Sequence, residues 1–147
     1  MYKIRIMTID DYDQVYALWA NTPGLGLNNL DDSREGIAKY LGRNPDTCFV
    51  AEKNARIVGA ILSGHDGRRG TISHTAVAQS EQRQGIGAAL VDAAMSALKS
   101  EGIHKVNLVV FAANEKGNAF WEKQGFTARE DLVYRNKAIS DLTRIDT

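Results

Sequence analysis

Residues 80–95 read SEQRQGIGAALVDAAM, with two glycines, Gly85 and Gly87, standing where an amphipathic helix begins. Glycine inside a helix costs roughly 1 kcal/mol relative to alanine, so a pair at a helix mouth needs a physical reason. Lacking Cβ, glycine lets another chain or a ligand phosphate come close to the main chain. The first helical turn adds unpaired N–H groups and the positive end of the dipole. A phosphate group fits both features.

Outward from this point the chain alternates strands and helices. The helix from about Gly85 to Ser100 has Ile86, Leu90, Ala94, Ala97 and Leu98 on one face and stops at Gly102. GTISHTAVA (70–78) precedes it and KVNLVVF (105–111) follows, the latter expected as a buried strand. Strand, helix, strand implies a right-handed parallel crossover. Upstream, TCFVAEK (47–53), RIVGAILSGHDG (56–67) and GTISHTAVA form an antiparallel meander, turning at NA (54–55) and DGRRG (66–70).

The chain opens with YKIRIMT (2–8), a strand, and a helix in which Val15, Leu18 and Trp19 follow Asp10 and Asp11. TPGLGLNNLDD (22–32) is a long connection, a segment that shapes a binding site or merely crosses the surface. Ser33 then caps a helix with Ile37, Tyr40 and Leu41 on its apolar side. NEKGNAFWEKQ (114–124) supplies a short helix ending at Gly125, and FTAREDLVYRN (126–136) reads as one or two final strands. KAISDLTRIDT (137–147) carries no clear pattern. The order β-α-α-β-β-β-α-β-α-β predicts an α/β fold, a mixed central sheet flanked by helices, in one domain spanning 1–147.

Lysine plus arginine equal aspartate plus glutamate at 18 each, so no basic field supports nucleic-acid binding, and aromatic and basic residues do not interleave. The single cysteine, Cys48, lies in an apolar run that reads as buried core. The N-terminus turns acidic at once and no segment is apolar enough to span a membrane, which predicts a soluble, cytoplasmic protein without a membrane partner. The histidines form no metal pattern with Cys48 or a carboxylate, so no metal is expected.

Three phosphate loops compete for QRQGIGAAL (82–90). A P-loop needs Lys and Ser or Thr after its second glycine, where this chain has Ala88 and Ala89. A dinucleotide fingerprint needs Gly or Ala where this chain has Leu90. What remains is Q-x-x-G-x-G, made by Gln82, Gly85 and Gly87 between a strand and a helix.

This stretch resembles the acyl-CoA pyrophosphate loop of the GNAT superfamily of N-acetyltransferases, and NEKGNAFWEKQGF (114–126) is similar to that family's second signature. The resemblance covers the order of elements along almost the whole chain. It implies a GNAT-type fold and acetyl-CoA as acyl-donor cosubstrate. Backbone N–H groups of Gln84, Gly85, Ile86, Gly87 and Ala88 would hold the pyrophosphate. The pantetheine would run beside Ala76, Val77 and Ala78, with Asn114 reaching it from the other side. A purely structural role, a tight corner for the glycines and a helix cap for Asn114, stays open.

Acetyl transfer to an amine needs a neutral amine, stabilisation of the developing oxyanion and a proton for the thiolate. An alkylamine titrates near pH 10 and a thiol near 8.5, so the base matters more than the acid. His74 on ISHTAVA is the candidate base, the alternative being a hydrogen-bonded sheet histidine. Many family members place a tyrosine acid where this chain has Trp121; either the thiolate leaves unassisted, or its proton comes from water or from another residue, with Tyr134 on the late strand as the candidate, and Trp121 itself would pack against the CoA arm. Glu81, His65, Asp66 and His104 read as loop or structural residues. Asp31 and Asp32 either attract a cationic amine or serve a helix dipole.

The reading that follows is an N-acetyltransferase moving acetyl from acetyl-CoA to a primary amine of a small molecule or peptide by direct attack in a ternary complex. The alternative is a CoA-binding sensor or regulatory module without transfer chemistry. A homodimer stays open.

Overall fold

The computed structural model describes residues 1–145. In chain order it contains β1 (Lys3–Ile6), α1 (Tyr12–Ala20), β2 (Leu27–Asn28), α2 (Arg34–Arg43), β3 (Phe49–Lys53), β4 (Arg56–His65), β5 (Gly70–Val77), α3 (Ile86–Ser100), β6 (Val106–Asn107), α4 (Glu115–Lys123) and β7 (Arg144–Ile145). Five strands form a mixed sheet in the order β1-β3-β4-β5-β6, antiparallel except for the parallel β5–β6 pair. That pair is the expected crossover through α3.

Period-two alternation sends successive side chains to opposite faces. Val50, Ala60, Leu62 and Ala76 pack with Val15 and Trp19 of α1 and Ile37 and Leu41 of α2. Ala51, Val58, Ile61 and Ile72 pack with Ile86, Leu90, Val91 and Ala94 of α3 on the other face. Ser33 accepts from Gly36 N at 3.0 Å and so starts α2 as a side-chain cap. At the NA turn both residues are left-handed, Asn54 at φ 53° and Ala55 at φ 63°, as a two-residue hairpin turn matched to strand twist requires.

Three expectations need correction. The 22–32 connection does more than cross the surface: Leu27 is buried and β2 pairs antiparallel with β7, a long-range pairing that local pattern does not encode. Only Val106 and Asn107 of KVNLVVF lie in a strand, and Val109 and Phe111 are 70% and 47% exposed. The 126–136 run contains no strand, and Leu132, Val133 and Tyr134 are exposed. Its β-prone alternation meets no partner strand among the described residues, and an unpaired run is not a strand. Among the described residues the last strand is instead β7. Residues 146 and 147 lie outside the described residues.

Candidate active-site cleft

β5 and β6 pair at only two positions, Gly70 with Val106 and Thr71 with Asn107. Beyond them the chains diverge, leaving the β5 edge from Ile72 to Val77 open to a cleft of about 1850 Å³. This exceeds the roughly 300–1,000 Å³ of an ordinary small-molecule site, so there is room for two reactants. The walls are β5, residues 107–112, the 21–26 connection, the mouth of α3 and one side of α4. A bulge shapes the β5 wall: Ala60 faces Ala76 and Leu62 faces Ser73, so β5 carries one residue more than β4 over that interval. His74 lies in the bulge with φ 44°, an uncommon conformation for a residue with Cβ.

At the mouth of α3 the structure gives the two glycines different reasons. Gly85 is the N-cap with φ 80°, a left-handed conformation that favours glycine, and a Cβ there would meet nothing within 4 Å. Gly87 is a packing residue instead, since a Cβ there would stand 3.1 Å from the Phe120 ring of α4. No side chain caps α3 and no acidic residue occupies its first turn. The first helical bond to Gly85 O comes from Ala89 N at 3.0 Å. The N–H groups of Gln84 to Ala88 therefore have no acceptor among the described residues, and they fan around an open, positively polarised corner.

Neighbouring side chains hold this corner. Gln82 Nε2 donates to Val77 O at 3.2 Å, which ties the loop to the end of β5. Gln84 turns away from the cleft and donates to Glu81 Oε1 at 3.1 Å. Lys53 Nζ lies 2.7 Å from the same oxygen and, as the first cause, holds the Glu81 carboxyl below its ordinary range. Glu81 is thus an ion-paired loop carboxylate rather than a freely solvated one.

Asn114 caps α4, accepting from Gly117 N at 2.9 Å, while its Nδ2 faces Gly24 of the 22–26 connection across the cleft entrance. Cap and cleft-lining positions coincide in this residue. Trp121 lies edge-on between Phe120 and Phe126, with ring centroids 4.9 and 5.2 Å away, and lines the cleft. Tyr134 borders the cleft too, from an irregular segment and 69% exposed, not from the late strand expected of it.

His74 faces the same space, its ring edge-on to Trp19 at 5.0 Å and its Nε2 2.7 Å from Asp32 Oδ1. Asp32 is 5% exposed, accepts from Asn28 N at 2.8 Å through Oδ2, and its carbonyl accepts from Tyr12 OH at 2.7 Å. Asp31 accepts from Asn28 Nδ2 at 2.9 Å. Neither carboxylate lines the cleft, so of the two alternatives for them, attraction of a cationic amine and service to a helix dipole, the first has no carboxylate on the cleft wall. Thr75 Oγ1 of the cleft wall is buried without a hydrogen-bond partner.

Of the chemistry-bearing residues, the Asp32 partner of His74 is the one that sequence reasoning missed. The two are 42 positions apart, and no spacing rule connects them.

The remaining candidates stand elsewhere. His65 Nε2 lies 2.7 Å from Glu101 Oε1, and Asp66 accepts from Arg68 N and Arg69 N in the hairpin turn. His104 is exposed. Cys48 is fully buried, and burial pushes its thiol up to about 11. Among the described residues no three His, Cys, Asp or Glu side chains gather to hold a metal ion, and no helix is long and apolar enough to cross a membrane.

Comparison with known proteins gives the following. The family described as Acetyltransferase (GNAT) family matches residues 12–126. An acetyltransferase of Pectobacterium atrosepticum is 30% identical over 139 residues, covering 95% of this chain and 97% of that protein. Among solved structures, an aminoglycoside acetyltransferase from an uncultured soil metagenomic sample, in complex with sisomicin, superposes with TM-score 0.72 at 22% identity. The match covers 95% of this chain and 97% of that one. Rv2747 from Mycobacterium tuberculosis, in complex with CoA, gives TM-score 0.70 at 21% identity over 87% of this chain and 73% of that one.

Proposed function

Because the chain belongs to the GNAT family of acetyltransferases, we propose that it transfers acetyl from acetyl-CoA to a primary amine by direct attack within a ternary complex. The whole described chain, 1–145, acts in this reading as one acyltransferase domain. The single observation that carries the cosubstrate assignment is the fan of acceptor-free N–H groups from Gln84 to Ala88 at the uncapped mouth of α3. The corner is open at Gly85, where even a Cβ meets nothing within 4 Å, which leaves its N–H groups accessible to a pyrophosphate. The CoA complex of a structural neighbour supports the same assignment.

Acetyl-CoA, when bound, supplies an activated acyl carbon and a thiol leaving group. The protein's own residues do the rest. N–H groups of Gln84, Gly85, Ile86, Gly87 and Ala88 hold the diphosphate, and Gln82 pins their loop to Val77. An extended arm would run beside Ala76, Val77 and Ala78 along the open β5 edge, where Ala78 N already donates to Val58 O and Val77 O already accepts from Gln82 Nε2, while Asn114 and Trp121 line the opposite wall. His74 takes the proton that an alkylammonium must lose before its nitrogen can attack, the demanding step at neutral pH. Tyr134 stands at the rim as a proton source for the departing sulfur. Holding both reactants in one cleft supplies much of the rate.

The acceptor class is a small-molecule amine or a peptide amine entering by the 21–26 connection. The aminoglycoside complex of a structural neighbour supports the small-molecule end of that range. Initial rates of thiol release over a matrix of acetyl-CoA and amine concentrations test the proposal. Intersecting double-reciprocal lines are expected. Parallel lines would overturn direct attack in a ternary complex, and tight acetyl-CoA binding without release for any amine would favour a CoA sensor.

A further inference from the structure

We propose that Asp32 is the positioning residue of the base: it selects the His74 tautomer with hydrogen on Nε2 and leaves Nδ1 to take the proton from the amine. The inference rests on the reading of His74 as base given above and adds a residue that does not line the cleft.

Asp32 Oδ1 lies 2.7 Å from His74 Nε2, and the two side chains are only 6% and 14% accessible. An ionised carboxylate accepts hydrogen bonds and donates none, so it pairs with Nε2 only when that nitrogen carries the hydrogen. Nδ1 of His74 has no hydrogen bond among the described residues, and the residue lines the cleft. A base needs just such a lone pair, and the carboxylate also stabilises the imidazolium that proton uptake creates.

The carboxylate is itself held. Its second oxygen accepts from Asn28 N at 2.8 Å, and its main-chain oxygen accepts from Tyr12 OH at 2.7 Å. Trp19 packs against the imidazole, edge to face with ring centroids 5.0 Å apart. Asn28 belongs to β2, which directly follows the 21–26 wall of the cleft. The orientation of the base is thereby tied to the segment that admits the acceptor. His74 also lies in the β5 bulge at φ 44°, so its backbone, too, is committed to one conformation.

The test begins with wild-type protein labelled with ¹⁵N at histidine. Long-range ¹H–¹⁵N correlations at a pH where the ring is neutral report which nitrogen carries the hydrogen. The expected result for His74 is hydrogen on Nε2 and a bare Nδ1; hydrogen on Nδ1 would overturn the proposal, and no variant is needed to decide it. Asp32→Asn then offers an amide that both donates and accepts, so tautomer selection is lost. Its kcat is expected to fall roughly tenfold to a hundredfold, within what a general base contributes as a whole. The affinity for acetyl-CoA should stay within twofold of wild type. Asp13→Asn, the same charge change at an exposed α1 position, should leave kcat unchanged.

An Asp32→Asn variant with wild-type kcat, or an equal loss in Asp13→Asn, would overturn the positioning role. Wild-type protein that transfers no acetyl group to any amine would overturn the base reading instead, and the tautomer spectrum would still judge the geometry.

Discussion

Substitution at Gly85 puts the account of the α3 mouth under direct strain. The residue stands at φ 80° and a Cβ meets nothing within 4 Å, so Gly85→Ala introduces no clash. Its cost is purely conformational, about 1–2 kcal/mol for a residue with Cβ held left-handed. Either the backbone keeps its shape and stability falls by that amount, or it relaxes and the N–H fan from Gln84 to Ala88 turns away. In the second case affinity for acetyl-CoA falls by about five- to thirtyfold, since 1.4 kcal/mol is a factor of ten. Gly85→Glu carries the same conformational cost and adds a carboxylate beside the diphosphate. Unit charges about 4 Å apart repel by about 1 kcal/mol in water and about 4 kcal/mol near a protein surface. The combined expectation is a loss of roughly a hundredfold or more. Calorimetric titration with acetyl-CoA, paired with a thermal melt of each variant, separates the two routes. A folded Gly85→Glu protein that binds as tightly as Gly85→Ala would refute the assignment of this corner to an anion.

Other consequences are independent of the ligand. Gly42, inside α2, has open space where a Cβ would go and no positive φ, so Gly42→Ala should stabilise by about 0.5–1 kcal/mol in urea unfolding. Burial raises the Cys48 thiol to about 11, so it should resist thiol reagents in the native state at pH 8. Because the folded pKa lies above the unfolded one, the stability it contributes is present below about pH 9 and lost as pH rises toward 11. The loss is about 3 kcal/mol, two pH units at roughly 1.4 kcal/mol each, and Cys48→Ala should flatten that limb. Burial pushes the Asp11 carboxyl up, but the Arg5 guanidinium at 2.8 and 3.0 Å and the Thr8 N–H outweigh it and hold the group low. Its stabilisation is therefore present above the ordinary carboxylate range and lost as pH falls through the lowered value. Acid unfolding of Asp11→Asn should show a shallower dependence on pH.

The sheet and its flanking helices were legible because each rests on local chemistry. Alternation fixes the faces of β3, β4 and β5, Ser33 caps α2, and the NA turn forces one hairpin. The reasons failed where pairing is non-local. Leu27 looks like loop until Ile145 arrives beside it, and Leu132 to Tyr134 look like strand although no partner strand meets them among the described residues. In the cleft, Gly85 was legible as a helix mouth. Gly87 was not legible as a packing residue, since Phe120 reaches it from another helix. The Asp32–His74 contact depends on a bulge in β5 and a buried connection together, neither of which leaves a spacing signature.

The central claim meets its most direct test in one assay: wild-type protein, acetyl-CoA and a panel of polyamines, aminoglycosides, amino acids and peptides, with thiol release and the mass of the N-acetylated product followed together. The account predicts thiol release that depends on the acceptor and matches acetylated amine one for one. Thiol release that is the same with and without amine, or no release from a preparation that binds acetyl-CoA, would contradict it.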